Sequence, residues 1–202
     1  MGTRGAYGFR TNGQDKLTYN HFDSYPNGLG ETVFKFIVDN LPDLPSIAES
    51  MKLVTEQSVP TPEQIAECKK ANIFNANVDD GSDQNWYCLL RGAEGEPQAW
   101  ADGLRTMVDS QAFLQDSLFC EWAYVINIDE GVLEVYRGFN HDTKAAGRYA
   151  DNICPEYLEK PSSQDNPFCG VRLVNRMRLD TLKRMGCKRF VARVKYAANG
   201  PE

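Results

Sequence analysis

Polar and apolar positions follow two periods along this chain, one close to a helical turn and one of two residues, and their order predicts most of its elements. Tyr7-Gly8-Phe9-Arg10 and Lys16-Leu17-Thr18-Tyr19 flank Thr11-Asn12-Gly13-Gln14. Asn-Gly supplies the two positive-φ residues of a type I′ turn, so the chain opens with a β-hairpin. A Pro- and Gly-containing loop over residues 21–30 follows. Val33, Phe34, Phe36, Ile37 and Leu41 then recur at helical spacing and predict an amphipathic helix from Glu31 to Asn40.

The next stretch is read as helical. Ser46-Ile47-Ala48-Glu49 and Thr61-Pro62-Glu63-Gln64 match the capping box, the second with Pro at the first helical position. Residues 75–84 are rich in Asn, Asp, Gly and Ser and predict a loop. Trp86 to Leu90 and Pro97 to Val108 read as helices, with Gly103 weakening the second by about 1 kcal/mol against Ala. Ser110 to Ser117 adds another short helix.

At Phe119 the period changes to two and runs to Ile128, which makes this the strongest strand pattern in the chain. Asp129-Glu130-Gly131 turns it back into a partner strand, Val132 to Phe139. Residues 140–170 form a long connection with a helical turn near Ala145 to Ala150. Val171 to Leu179 reads as a strand, Asp180 to Met185 as a helical turn stopped by Gly186, and Phe190 to Tyr196 as a last strand.

Strands at both ends with helices between them predict an α+β fold, an antiparallel sheet built from the N-terminal and central hairpins plus C-terminal strands, with helices packed on it. A single domain over residues 1–202 with a helical insertion at about 42–118 is the expected organisation.

Composition narrows the class. A chain of 202 residues with 42% hydrophobic and 25% charged residues and a net charge of -6 has a globular profile. Its longest apolar run falls far short of the roughly 20 residues of a membrane span. Met1-Gly2-Thr3-Arg4 carries no apolar leader segment, so a cytoplasmic location is expected. The charge is uneven: residues 1–169 hold 13 Lys and Arg against 26 Asp and Glu, and residues 170–202 hold 9 against 2. Arg172, Arg176 and Arg178 alternate with apolar residues, so the basic end is read as a strand face pairing with the acidic body rather than as a nucleic-acid surface. The six cysteines contain no C-x-x-C pair and read as buried thiols. No strand followed by G-x-G-x-x-G and a helix occurs, so no nucleotide cofactor is expected.

Met1-Gly2-Thr3-Arg4, then Tyr19-Asn20-His21-Phe22-Asp23-Ser24-Tyr25-Pro26 with Gly30 four residues on, resembles a family of uncharacterised bacteriophage and bacterial proteins that begin M-x-T-R and continue Y-x-H-x-D-x-Y-P-x-x-x-G. The likeness extends to residues 121–129, 133–139 and 171–174 and implies an accessory protein of phage type, without implying an activity. Thr3-Arg4 and Asp23 also resemble, more distantly, N-terminal-nucleophile hydrolases related to choloylglycine hydrolase, which begin Cys-Thr-Arg. Gly2 stands where that family has its nucleophilic Cys, so a nucleophile at Thr3 would require removal of Met1 and Gly2.

The candidate site lies beside the first hairpin. On an extended backbone His21 and Asp23 share a face, where His can act as acid, base or ligand and Asp can orient it. Arg4 offers a bidentate grip on a phosphate or carboxylate, and Tyr25 and Tyr19 offer stacking or a phenolic hydrogen bond. Gly28 and Gly30 precede a helix whose N-terminal amides form a natural anion site. Tyr136, Arg137 and His141 are placed at the far end of the second hairpin, lining the same cleft. His21, Asp23, His141 and Glu121 include metal-ligating types, but their spacing demands no ion, and no metal is assigned. The leading expectation is a module binding a small anionic ligand, nucleotide derivatives being among the candidates, or a host protein. The alternatives are a hydrolase, of N-terminal-nucleophile type or with a His21–Asp23 pair, and a homo-oligomeric virion or interaction protein.

Overall fold

The computed structural model describes residues 2–151 and 167–199. β1 (Gly5–Thr11) and β2 (Gln14–Asn20) form the expected hairpin, with Asn12 at φ 53° and Gly13 at φ 74° in the turn. α1 (Leu29–Asn40) follows the loop. Next come α2 (Leu44–Ser50), β3 (Lys52–Val54), α3 (Pro62–Lys70), α4 (Trp86–Leu89), α5 (Gln98–Ala101) and β4 (Thr106–Val108). β5 (Trp122–Asn127) and β6 (Val132–Arg137) are the central hairpin. β7 (Arg172–Arg178), α6 (Leu179–Met185) and α7 (Cys187–Asn199) complete the described chain.

The fold is α+β, with a five-stranded sheet in the order β2-β1-β5-β6-β7 and a second sheet of β3 and β4. Most of the main sheet is antiparallel, but β1 pairs with β5 in parallel, Tyr7 opposite Tyr124. The two hairpins therefore do not simply extend one another as an antiparallel sheet. More than a hundred residues separate β1 from β5, ample for the crossover a parallel pair requires.

Every residue of β5 is buried. On one face Tyr7, Phe9, Trp122, Tyr124 and Ile126 pack against Phe34, Phe36, Trp100 and Phe190. The Phe9 and Trp100 rings lie 5.1 Å apart, and Phe34 and Phe190 5.2 Å apart. On the other face Ala6, Leu17, Ala123, Val125 and Tyr136 lie under Leu114, Cys120, Tyr149 and Val171. Helices cover the first face, and loops with a short 3-10 turn at Gln111–Gln115 cover the second.

A polar seam closes this second face. Asp15 and Glu134 are buried carboxylates. Arg148, from the long connection, reaches both: Nη2 lies 3.1 Å from Asp15, and Nη1 pairs with Glu134. Tyr149 donates to Asp15 at 2.7 Å, Tyr136 to Glu134 at 2.9 Å, and Arg10 pairs with Asp15 at 3.1 Å. On the opposite face the Lys16 ammonium sits over the end of α2, donating to the carbonyls of Ala48, Glu49 and Met51. There it satisfies carbonyls that the helix itself leaves unpaired.

Four expectations change. Pro97–Val108 is helical only over α5, because Gly103 sits at φ +117°, and Thr106–Val108 instead forms β4, parallel to β3. The Ser46 capping box is absent, since α2 begins at Leu44 with Pro45 in its first turn, whereas the Thr61–Gln64 box is present. Residues 145–150 form turns rather than a helical turn. The expected last strand, Phe190–Tyr196, lies within α7: Phe190, Val194 and Ala198 fall one turn apart and are buried together. A register read over seven residues missed this i, i+4, i+8 line.

Arg148→Met leaves two buried carboxylates without their shared cation, and urea denaturation is expected to show a loss of about 3 kcal/mol, the low end for a broken buried pair because the arginine is partly exposed. At exposed Ala192, mid-α7, Gly should cost about 1 kcal/mol and Pro about 3, whereas equal small losses from both would argue against a helix there.

Candidate functional site

Two hollows adjoin the first hairpin, and Arg91 with Glu94 forms the wall between them. The first is a cleft of about 300 Å³ running from the β1–β2 edge to α4, α5 and β4. Tyr7, Trp86, Trp100, Leu104, Met107 and Phe113 line it, with Thr18, Thr106 and Ser110 as uncharged polar groups and Glu56 as a carboxylate besides the Arg91–Glu94 pair. Tyr7 and Trp100 stack with ring centres 5.0 Å apart. The Tyr7 hydroxyl donates to the Ala93 carbonyl and accepts from the Gly95 amide, both at 3.0 Å, so the strand itself holds the Arg91–Glu96 segment in place. Burial pushes the Tyr7 phenol well above its ordinary range, so it stays protonated as that double anchor.

At the mouth, the Arg91 guanidinium pairs with Glu94 and lies over the rings of Tyr87, at 5.4 Å, and Phe22, at 5.9 Å. Glu94 also accepts from the His21 amide. The His21 ring is bonded through Nδ1 to the Tyr19 hydroxyl at 3.0 Å. Burial, then the positive charges of Arg91 and Arg4, lower the His21 pKa below its usual value. The imidazole is thus neutral at pH 7, and His21 itself lines neither hollow.

The second hollow, about 540 Å³, is open and polar, and lies beside the start of α1. Asp23, Glu31, Glu94 and Glu96 line it against Lys35 and Arg91. The amides expected to receive an anion are already bonded: Gly28 and Gly30 donate to the Tyr25 carbonyl, and Leu29 donates to the Asp23 carbonyl.

The candidate residues separate accordingly. His21 and Arg4 stand close enough for the arginine to act on the imidazole, with Arg4 lying 4.9 Å over Phe119. Asp23 sits at φ +52°, so residues 21–23 are not extended, and His21 pairs with Tyr19 rather than with Asp23. Tyr25 is half-exposed, and Gly30 abuts the buried Tyr124 ring. Tyr136 lies on the other face of the sheet in the Arg148 seam. Arg137 covers Trp122 at 4.6 Å, and His141 bonds the Pro167 carbonyl. Thr3 is buried, its carbonyl accepting from the Ser24 amide. Among the described residues no three His, Cys, Asp or Glu side chains gather to hold a metal ion. The same residues include no helix long and apolar enough to cross a membrane.

Trp86, Tyr87, Arg91, Glu94 and Trp100 are the site residues that sequence reasoning missed. Their signal was present in a short segment combining two Trp, a Tyr and an Arg–Glu pair three apart, but it fell within a stretch read only for helices. Comparison with protein-family models, curated proteins and solved structures found no match to this chain. The functional reading therefore stands on geometry.

Because the folded chain resists protonating His21, the unfolded chain binds more protons below the ordinary value of 6.5, and stability falls as pH is lowered through that value. NMR titration should place the His21 midpoint below 6.5 and move it upward in Arg91→Gln. An unchanged midpoint in that variant would remove Arg91 from the site's electrostatics.

Proposed function

We propose that this chain is a binding module for a small, planar, ring-bearing molecule with a hydrogen-bond acceptor or anionic group at one edge. The single observation that carries this reading is the aromatic cleft of about 300 Å³ with Arg91 in its wall; His21 stands outside the lining and bonds two of its residues, Tyr19 and Glu94. Pockets that are mostly apolar with a few convergent polar groups are the usual form of small-molecule sites. The ring inserts between Tyr7, Trp86, Trp100 and Phe113, where stacking and burial act together. Its polar edge faces Arg91, which can rotate part of its guanidinium from Glu94 to the ligand.

The anionic edge meets Arg91 at this mouth rather than the start of α1, where the Gly28, Leu29 and Gly30 amides are taken. The lining contains no activated nucleophile: Cys88 and Cys120 lie elsewhere, and burial raises both thiols. A second reading, a protein partner seated across the mouth, is favoured by the exposed rings of Phe22, Tyr87 and Phe119 beneath Arg91 and Arg4. Aromatic and arginine side chains are the usual anchors of such interfaces.

Anilinonaphthalene sulfonate, an aromatic anion, is a suitable first probe. It should quench Trp86 and Trp100 fluorescence, and Ser110→Phe, which fills the mouth, should abolish that quenching. Arg91→Gln should weaken binding about tenfold, the loss of one charge-assisted hydrogen bond of about 1.5 kcal/mol. Equal affinity in the native chain and both variants would place the probe elsewhere and reject the cleft.

A further inference from the structure

The C-terminal helix pair carries a second surface, of opposite character to the cleft. Because residues 187–199 form a helix, Phe190, Val194 and Ala198 turn into the core. Lys188, Arg189, Arg193 and Lys195 are left exposed, and Lys183 and Arg184 on α6 are exposed beside them. Six cations thus lie within residues 183–195.

The arginines of β7 behave differently. Arg176 pairs with Glu130, Arg178 with Asp180, and Arg172 donates to the Ala198 carbonyl. The expectation that the basic end pairs with the acidic body therefore holds for one of the strand's three arginines, Arg176, since Asp180 itself belongs to the basic end. Among the described residues, none of the six helical cations forms an ion pair; Arg184 stands near enough to Asp180 to lower its carboxyl, without bonding it. Tyr196 is 70% exposed and lies on one helix line with Arg189 and Arg193, at i, i+4 and i+7.

We infer that α6 and α7 form a binding face for single-stranded nucleic acid, whose phosphates contact the six cations and one of whose bases stacks on Tyr196. Charge complementarity selects a polyanion: this end gathers six exposed cations without an ion pair among the described residues, whereas exposed lysines of the body that lack one, among them Lys52, Lys70 and Lys144, stand apart from one another along a stretch where acids outnumber bases two to one. The exposed aromatic beside two arginines favours unstacked bases over a closed duplex. An anionic bilayer fits less well, because the apolar side of α7 is already committed to the core and has nothing to insert.

Fluorescence anisotropy with a labelled oligothymidylate of about 15 nucleotides tests this assignment. Four to six phosphate contacts at about 0.7 counterion each predict binding that weakens roughly 50- to 300-fold between about 50 and 200 mM salt. The double variant Arg189→Gln, Arg193→Gln, at exposed positions, should lower affinity at least tenfold and reduce the magnitude of the log–log salt slope by about 1.4. Tyr196→Ala should weaken binding about fivefold or more at an unchanged slope. Ser110→Phe, which blocks the cleft, should leave all of this unaltered, so this face and the cleft stand or fall separately. The inference is overturned by no anisotropy change at about 100 μM protein in low salt. It is equally overturned by binding insensitive to the double variant, by tighter binding of a duplex of equal length, or by capture on phosphatidylserine vesicles with none on the oligonucleotide.

Discussion

A strand with no solvent face has to be covered twice, and β5 is such a strand. Trp122, Tyr124 and Ile126 project to one side, Ala123 and Val125 to the other, and each set requires its own apolar cover. The larger cover comes from α1, α7 and the segment carrying Trp100. The smaller is assembled from loops, which bring backbone and charged groups to a face that has little apolar surface to offer in return. Arg148 resolves that conflict by joining Asp15 of β2 to Glu134 of β6 across the intervening strands. Two carboxylates that would be costly alone become a hydrogen-bonded seam, with Tyr136 and Tyr149 taking the remaining acceptors.

The cleft follows from the same demand. Tyr7 and Phe9 point to the larger cover, where Trp100 stacks on Tyr7 and packs at a tilt against Phe9. The chain that supplies Trp100 also supplies β4, which among the described residues pairs only with β3 and leaves a gap against the hairpin. Ser110 donates to the Leu17 carbonyl and Asp109 to the Val54 carbonyl, so the gap is bounded by hydrogen bonds on both sides. A concavity braced in this manner can hold its aromatic walls apart, and the Tyr7 hydroxyl keeps Arg91 and Glu94 at its edge.

The cationic helix is a consequence of where its apolar line faces. Burying Phe190, Val194 and Ala198 against α1 and the sheet directs the charged positions outward, where solvation costs them nothing. The cleft and the cationic helix pair thus lie on different elements of one fold, the cleft offering shape and aromatic rings and the helices charge.

Local chemistry made much of this legible from the chain. Asn12-Gly13, the Thr61–Gln64 capping box and the period of two from Trp122 to Asn127 each specify their element through neighbouring residues alone, and each is present. The α+β class follows from their order. Other features depend on residues far apart in the chain, which local patterns do not encode. The parallel pairing of β1 with β5 and the sorting of Tyr136 to the opposite face from the cleft belong to this class. His21 and Asp23 share a face only on an extended backbone, and the left-handed Asp23 breaks that condition. The sequence by itself determined turns, caps and amphipathic periods, because these are short-range preferences. Tertiary structure alone decided which side chains meet at the cleft and whether residues 190–196 are strand or helix, because burial against the rest of the molecule selects among local conformations of similar energy.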